Sequence, residues 1–146
     1  MKKKIIIISN WKNKDDFHKL KGNVENNLEN IESFFYLMIT DNSKKIEDLP
    51  QIQNSYYLSK RDFNLLGKLK TPMLRGLLMN QKEGVLIVAL ENESALLKQV
   101  IKHSNLMSIG IEKETLPNFD LSFTDSGLTG GKLFTQINNY LTKIRL

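Results

Sequence analysis

Lys4–Thr40 reads KIIIISNWKNKDDFHKLKGNVENNLENIESFFYLMIT, and its three parts decide the fold class. Ile5–Ile8 is an apolar, β-branched run too short for a helix, so Lys4–Ser9 reads as a buried strand. Asn13 stands where an N-cap belongs, with Asp15 and Asp16 in the electropositive first turn. Phe17, Leu20, Val24, Leu28 and Ile31 then recur at helical spacing, and Gly22 weakens that helix by only about 1 kcal/mol. Phe34–Thr40 is a second buried strand. Strand, helix and strand make one βαβ unit, a motif whose strands run parallel.

The pattern continues outward. Asp41–Asn54 is polar and turn-rich around Pro50. Tyr56–Ser59 reads as a short strand and Asp62–Leu66 as one helical turn before Gly67. Thr71-Pro72 opens a helix, threonine as cap and proline at the first helical position, with Met73, Leu74, Leu77 and Leu78 as its buried face. Val85–Leu90 is the strongest strand in the chain. Asn92 or Ser94 caps the next helix, whose apolar face is Leu96, Leu97, Val100 and Ile101. Asn105–Ile111 and Phe119–Phe123 are strands separated by a turn at Leu116–Asn118. A last helix spans about Gly130–Ile144 with a stripe of Leu133, Phe134, Ile137, Tyr140, Leu141 and Ile144. Alternating helices and apolar strands predict a three-layer α/β domain over residues 1–146, an open and mostly parallel sheet, Rossmann- or flavodoxin-like.

Composition removes several functions. The chain of 146 residues has no cysteine, which excludes disulfides, thiolate zinc sites and cysteine nucleophiles. The four isoleucines after Lys2–Lys4 are fewer than a signal peptide or a membrane span requires, so the expected location is cytoplasmic. The formal net charge of +5 permits contact with nucleic acid or an acidic surface.

No familiar catalytic constellation emerges. Ser9–Asn13 lacks the glycines with which a dinucleotide-binding loop lets backbone approach a pyrophosphate. Gly127–Lys132 falls one residue short of phosphate-binding P-loop spacing, and Leu133 stands where a magnesium-binding hydroxyl belongs. His18 and His103 are isolated and make no metal signature. The acid pairs Asp15/Asp16 and Glu91/Glu93 sit at helix starts, where acids are favoured electrostatically. Trp11 suits a core or lid role better than base stacking. No catalytic residue, cofactor or metal is therefore expected.

Three expectations remain. Lys60, Arg61, Lys68, Lys70 and Arg75 cluster against Asp62 alone, interleaved with Tyr56, Tyr57 and Phe63. Such a region suits an acidic protein or an RNA backbone, and a non-enzymatic role through such a partner is the first expectation. The second is a site for a phosphate- or sugar-containing ligand beyond the strand C-termini, at Asn10, Ser59, Asn92 and Ser126. A homodimer through an exposed apolar helix face is a third.

The run Tyr57-Leu58-Ser59-Lys60-Arg61-Asp62-Phe63-Asn64-Leu65-Leu66-Gly67-Lys68 resembles the hallmark of an uncharacterised Bacteroidota family of short cytoplasmic α/β proteins, classed as a domain of unknown function. In that family a Ser-Lys-basic-Asp run leads to a Gly-Lys. Segments resembling Gly84–Leu90, Ser104–Gly110 and Ile137–Leu141 follow it. The resemblance spans Tyr56 to the C-terminus, and Val85–Leu90 departs from it by lacking an early Asp. It implies no catalytic residues.

Overall fold

The computed structural model describes residues 3–40, 48–79, 84–90, 94–112, 116, 118–123 and 130–143. Six strands form one sheet: β1 (Lys3–Asn10), β2 (Ile31–Ile39), β3 (Ser55–Leu58), β4 (Gly84–Val88), β5 (Met107–Ile111) and β6 (Leu121–Phe123). Their order is β3-β2-β1-β4-β5-β6, and every pairing is parallel. This is the doubly wound order of Rossmann domains, whose topological switch point lies between β1 and β4.

Among the described residues four helices cover the two faces: α1 (Lys14–Glu25), α2 (Pro72–Met79), α3 (Ala95–His103) and α4 (Gly131–Leu141). The isoleucine run of β1 is apolar throughout because it is buried on both sides. Ile5 and Ile7 pack with Phe17, Val24, Phe134 and Ile137 of α1 and α4. Ile6 and Ile8 pack with Leu74, Leu78, Leu97 and Val100 of α2 and α3. A parallel strand with helices on both faces has no solvent side on which to alternate polar residues.

The α1–β2 junction differs from the helical reading in one respect. The helix ends at Glu25 and Ile31 opens β2, paired with Lys3. Asn27 Nδ2 donates to the Asn23 carbonyl at 2.7 Å, drawing off a carbonyl near the helix end. Asn30, at φ 61°, then turns the chain, a conformation asparagine tolerates better than most residues. Leu28 is buried beyond the helix, so its spacing from Ile31 only coincides with a helical repeat.

Two further expectations are corrected on the opposite face. Asp62–Leu66 is not a helical turn. A single 3-10 turn, Lys60–Asp62, is followed by a tight hairpin closed by an antiparallel bridge between Phe63 and Leu69. In α2, Leu74, Leu77 and Leu78 are buried as expected, but Met73 is 56% exposed and faces away from the core.

Elsewhere the capping chemistry follows the sequence. The Ser94 hydroxyl accepts the Leu96 N–H at 3.2 Å and caps α3. Against β5, the Phe119 ring lies where a Cβ on Gly110 would stand, 2.4 Å from its nearest atom, so only glycine fits. Among the described residues no helix is long and apolar enough to cross a membrane.

Candidate functional site

Because all the strands are parallel, their C-terminal ends share one edge of the sheet. Of the four residues expected to form a site there, Asn10 and Ser59 are described, whereas Asn92 and Ser126 lie outside the described residues. Asn10 ends β1 in solvent, but Ser59 is buried and its backbone N–H is donated to Asp62 Oδ2 at 3.0 Å.

The turn after β1 is tied down by its own groups. The Ser9 hydroxyl crosses the switch point and donates to the Ala89 carbonyl at 2.9 Å. The Trp11 N–H donates to the Ile39 carbonyl at 2.8 Å. Asn13 Oδ1 accepts the Asp16 N–H at 2.7 Å, and Asp15 and Asp16 occupy the first turn of α1. This helix start therefore carries its own cap and its own acids, balanced by Lys12 and Lys14, so the helix dipole alone does not make it an anion cradle. Trp11 packs edge-on to Tyr57 at 5.2 Å and leans on Phe17 at 6.0 Å, as a lid over the α1 side of the core. Beside this turn lies a hollow of about 300 Å³ bordered by Ser9, Asn10, Lys12, Lys19 and Asn23.

The hairpin after β3 is tied down equally well, but it presents different side chains. Asp62 anchors its base: Oδ2 accepts the Ser59 N–H, Oδ1 accepts the Thr71 hydroxyl at 2.7 Å, and its carbonyl accepts the Lys70 N–H at 2.8 Å. Thr71 thus spends its hydroxyl on Asp62. Asn64 shapes the tip, where its Oδ1 accepts the N–H groups of Leu66 at 2.9 Å and Lys68 at 3.0 Å. The Gly67 N–H donates to the Asn64 carbonyl at 2.9 Å, and Gly67 takes φ 77°. Phe63 and Leu69 point down into the α2/α3 core. Leu65 and Leu66 are left at the tip, 105% and 82% exposed.

The hairpin leans on α3. The Phe63 ring is 6.2 Å from that of His103, and Gly67 lies against the Gln99 side chain. Gln99 and His103 occupy one row of α3, and Lys98 and Lys102 occupy the adjacent row. The fold therefore adds two lysines to the sequence cluster of Lys60, Arg61, Lys68 and Lys70. All six are exposed, as is Arg75 on α2. Among the described residues no carboxylate lies within ion-pair distance of Lys68, Lys70 or Lys102.

The sequence reading missed Lys98, Lys102 and the exposed leucines. For the leucines a signal was present: Asn64 and Gly67 stand at the first and fourth positions of a β-turn, where those residues are favoured. For the lysines there was none, since only the packing of the hairpin on α3 brings them near.

Several other polar side chains are tied into the fold. The Tyr36 hydroxyl donates to Glu25 Oε2 at 2.7 Å, and burial, with the adjacent Glu25 carboxylate, pushes the phenol well above its ordinary range. Burial also raises Tyr57, whose hydroxyl donates to the Pro50 carbonyl. His18 is exposed against Phe17, and His103 Nδ1 is 2.8 Å from the Gln99 carbonyl. Among the described residues no group of three or more metal-ligating side chains converges.

In comparisons with known proteins, no family model, no curated protein and no solved structure matches the chain.

Proposed function

We propose that this is a cytoplasmic, non-catalytic α/β domain that works by docking the face formed by its Lys60–Lys70 hairpin and α3 onto an anionic partner. The observation that carries the reading is the contact of Phe63 and Gly67 with α3, which sets Lys98 and Lys102 near the hairpin's own cations. A hairpin held by Asp62 and Asn64 presents those cations on a fixed frame. Its recognition therefore loses less conformational entropy than recognition by a loose loop. Arg75, one turn into α2, extends the same charge.

Retention on immobilised heparin, used as a polyanion probe, tests this. Wild type should elute at clearly higher salt than Lys68→Gln/Lys70→Gln/Lys102→Gln, because each cation lost removes released counterions. Failure of wild type to bind, or an unchanged elution of the triple variant, overturns the reading.

The hollow beside Asn10 favours a second reading, a site for a small phosphate- or sugar-containing ligand. Trp11 is the chain's one tryptophan and packs beside that turn. On this reading a panel of nucleotides and sugar phosphates should include one that shifts Trp11 emission saturably; silence across the panel counts against it.

A further inference from the structure

We propose that the anionic partner is a lipid bilayer, and that Leu65 and Leu66 enter it while the lysines around the hairpin lie on its headgroups. The inference rests on the anionic-docking reading above and names the surface that is docked.

Nothing in the fold requires leucine at these two positions. The turn is held by the Asn64 side chain, by backbone hydrogen bonds and by Gly67, and the core contacts are made by Phe63 and Leu69. Turn tips are ordinarily filled by polar residues or glycine. Here the most exposed large apolar side chains described in the molecule stand next to each other, on the segment with the densest positive charge after the N-terminus.

The shape and chemistry narrow the occupant. The leucines project from a convex tip, so they fit a phase that opens around them. Interfacial binding combines burial of apolar surface with attraction of Lys and Arg to anionic lipid. The two leucines at the tip, with Lys60, Arg61, Lys68 and Lys70 at its base, supply both terms in that geometry. An RNA backbone would pair with the lysines, and its bases could stack on Arg61, but it offers the two exposed leucines nothing; the aromatic ring of this hairpin, Phe63, is turned inward. No long apolar helix is found among the described residues, and none is needed for a surface contact of this kind.

Vesicle co-sedimentation, run beside the heparin assay, separates the possibilities. The vesicles are phosphatidylcholine alone and phosphatidylcholine with roughly one-third phosphatidylglycerol, an anionic surface of the kind that attracts polybasic segments. The full chain should bind the anionic vesicles and not the neutral ones. Leu65→Ser/Leu66→Ser should lose at least about tenfold in vesicle affinity while keeping its heparin elution, because only apolar insertion has been removed. Lys68→Gln/Lys70→Gln should weaken both. A thermal melt of the leucine variant that matches wild type establishes that its fold is intact.

Three results overturn the proposal. If heparin retains the chain and anionic vesicles do not, the partner is another polyanion, RNA or an acidic protein, and the docking reading stands without the lipid. If the leucine variant binds vesicles as well as wild type does, the contact is electrostatic only and nothing is inserted. If neither heparin nor vesicles bind, both readings fall together.

Discussion

The turn after β1 and the hairpin after β3 leave the same edge of the sheet, and both satisfy their backbone groups with their own side chains. They differ in what is left facing water. At the β1 turn the cap is Asn13, the first helical turn is acidic, and the large apolar ring, Trp11, folds back on Phe17 and Tyr57. At the hairpin the carboxylate of Asp62 is consumed by Ser59 and Thr71, the cations stay outside, and the apolar residues at the tip are held away from the core. Rossmann topology makes the β1 turn the customary place for a phosphate. In this chain the charge and exposed apolar surface have been set two strands away, so the topology locates the available edge and the side chains decide which part of it is adhesive.

The sharpest way to break the contrast is at Asp62. Asp62→Ala removes the acceptor for both the Ser59 N–H and the Thr71 hydroxyl and leaves the buried Ser59 amide unpaired. Hydrogen bonds to a charged group are worth more than neutral ones, and the expected loss is about 3 kcal/mol by urea denaturation. Amide exchange should quicken across Phe63–Leu69 beyond that global loss. If the hairpin keeps its protection, it does not depend on the aspartate and its rigidity has another source.

Gly67→Ala acts on the tip alone. A side chain at φ 77° is strained, and the new Cβ would also stand 3.2 Å from Gln99 Oε1. The expected destabilisation is about 1–2 kcal/mol, with weaker heparin retention as the hairpin shifts off α3. Retention unchanged at reduced stability would mean that the hairpin's own lysines suffice without Lys98 and Lys102.

Ser9→Ala tests the other turn, and its effect should be smaller. It deletes the single hydroxyl bond to the Ala89 carbonyl, worth about 1 kcal/mol. Heparin retention should not change, since the adhesive face lies on the other side of the sheet. A loss of retention would link the two regions and undo the separation drawn between them.

The sheet and its helices were legible in the sequence because continuous apolar runs and helical stripes are written locally. Ile5–Ile8 and Val85–Val88 fold as their patterns dictate, as do Leu133, Phe134, Ile137 and Leu141 of the α4 stripe; Tyr140, expected in that stripe, is instead 38% exposed, and Ile144 lies outside the described residues. Two local patterns were ambiguous. Ile31 continues the α1 stripe by spacing, yet Asn27 and Asn30 end the helix and hand it to β2. Asp62–Leu66 carries apolar residues at helical intervals, yet the Asn64 side chain captures two backbone amides and bends the segment into a hairpin. In both places an asparagine competing for backbone partners outweighs apolar spacing. The basic site was legible only in part. Lys60–Arg75 is a cluster along the chain, whereas Lys98 and Lys102 join it through tertiary packing that no local pattern encodes.

The smallest expected effect bears most directly on why Leu65 and Leu66 are there. Two leucines already in water contribute little to holding the fold, so Leu65→Ser/Leu66→Ser should change stability by no more than about 0.5 kcal/mol, as surface substitutions generally do. A stability near wild type, combined with a loss of vesicle binding, would leave binding as the role of the pair. A large drop in stability would instead mean that the leucines are covered in the folded protein in solution, by a second copy or by a neighbouring segment. The contrast between a closed turn and an open, adhesive hairpin would then disappear.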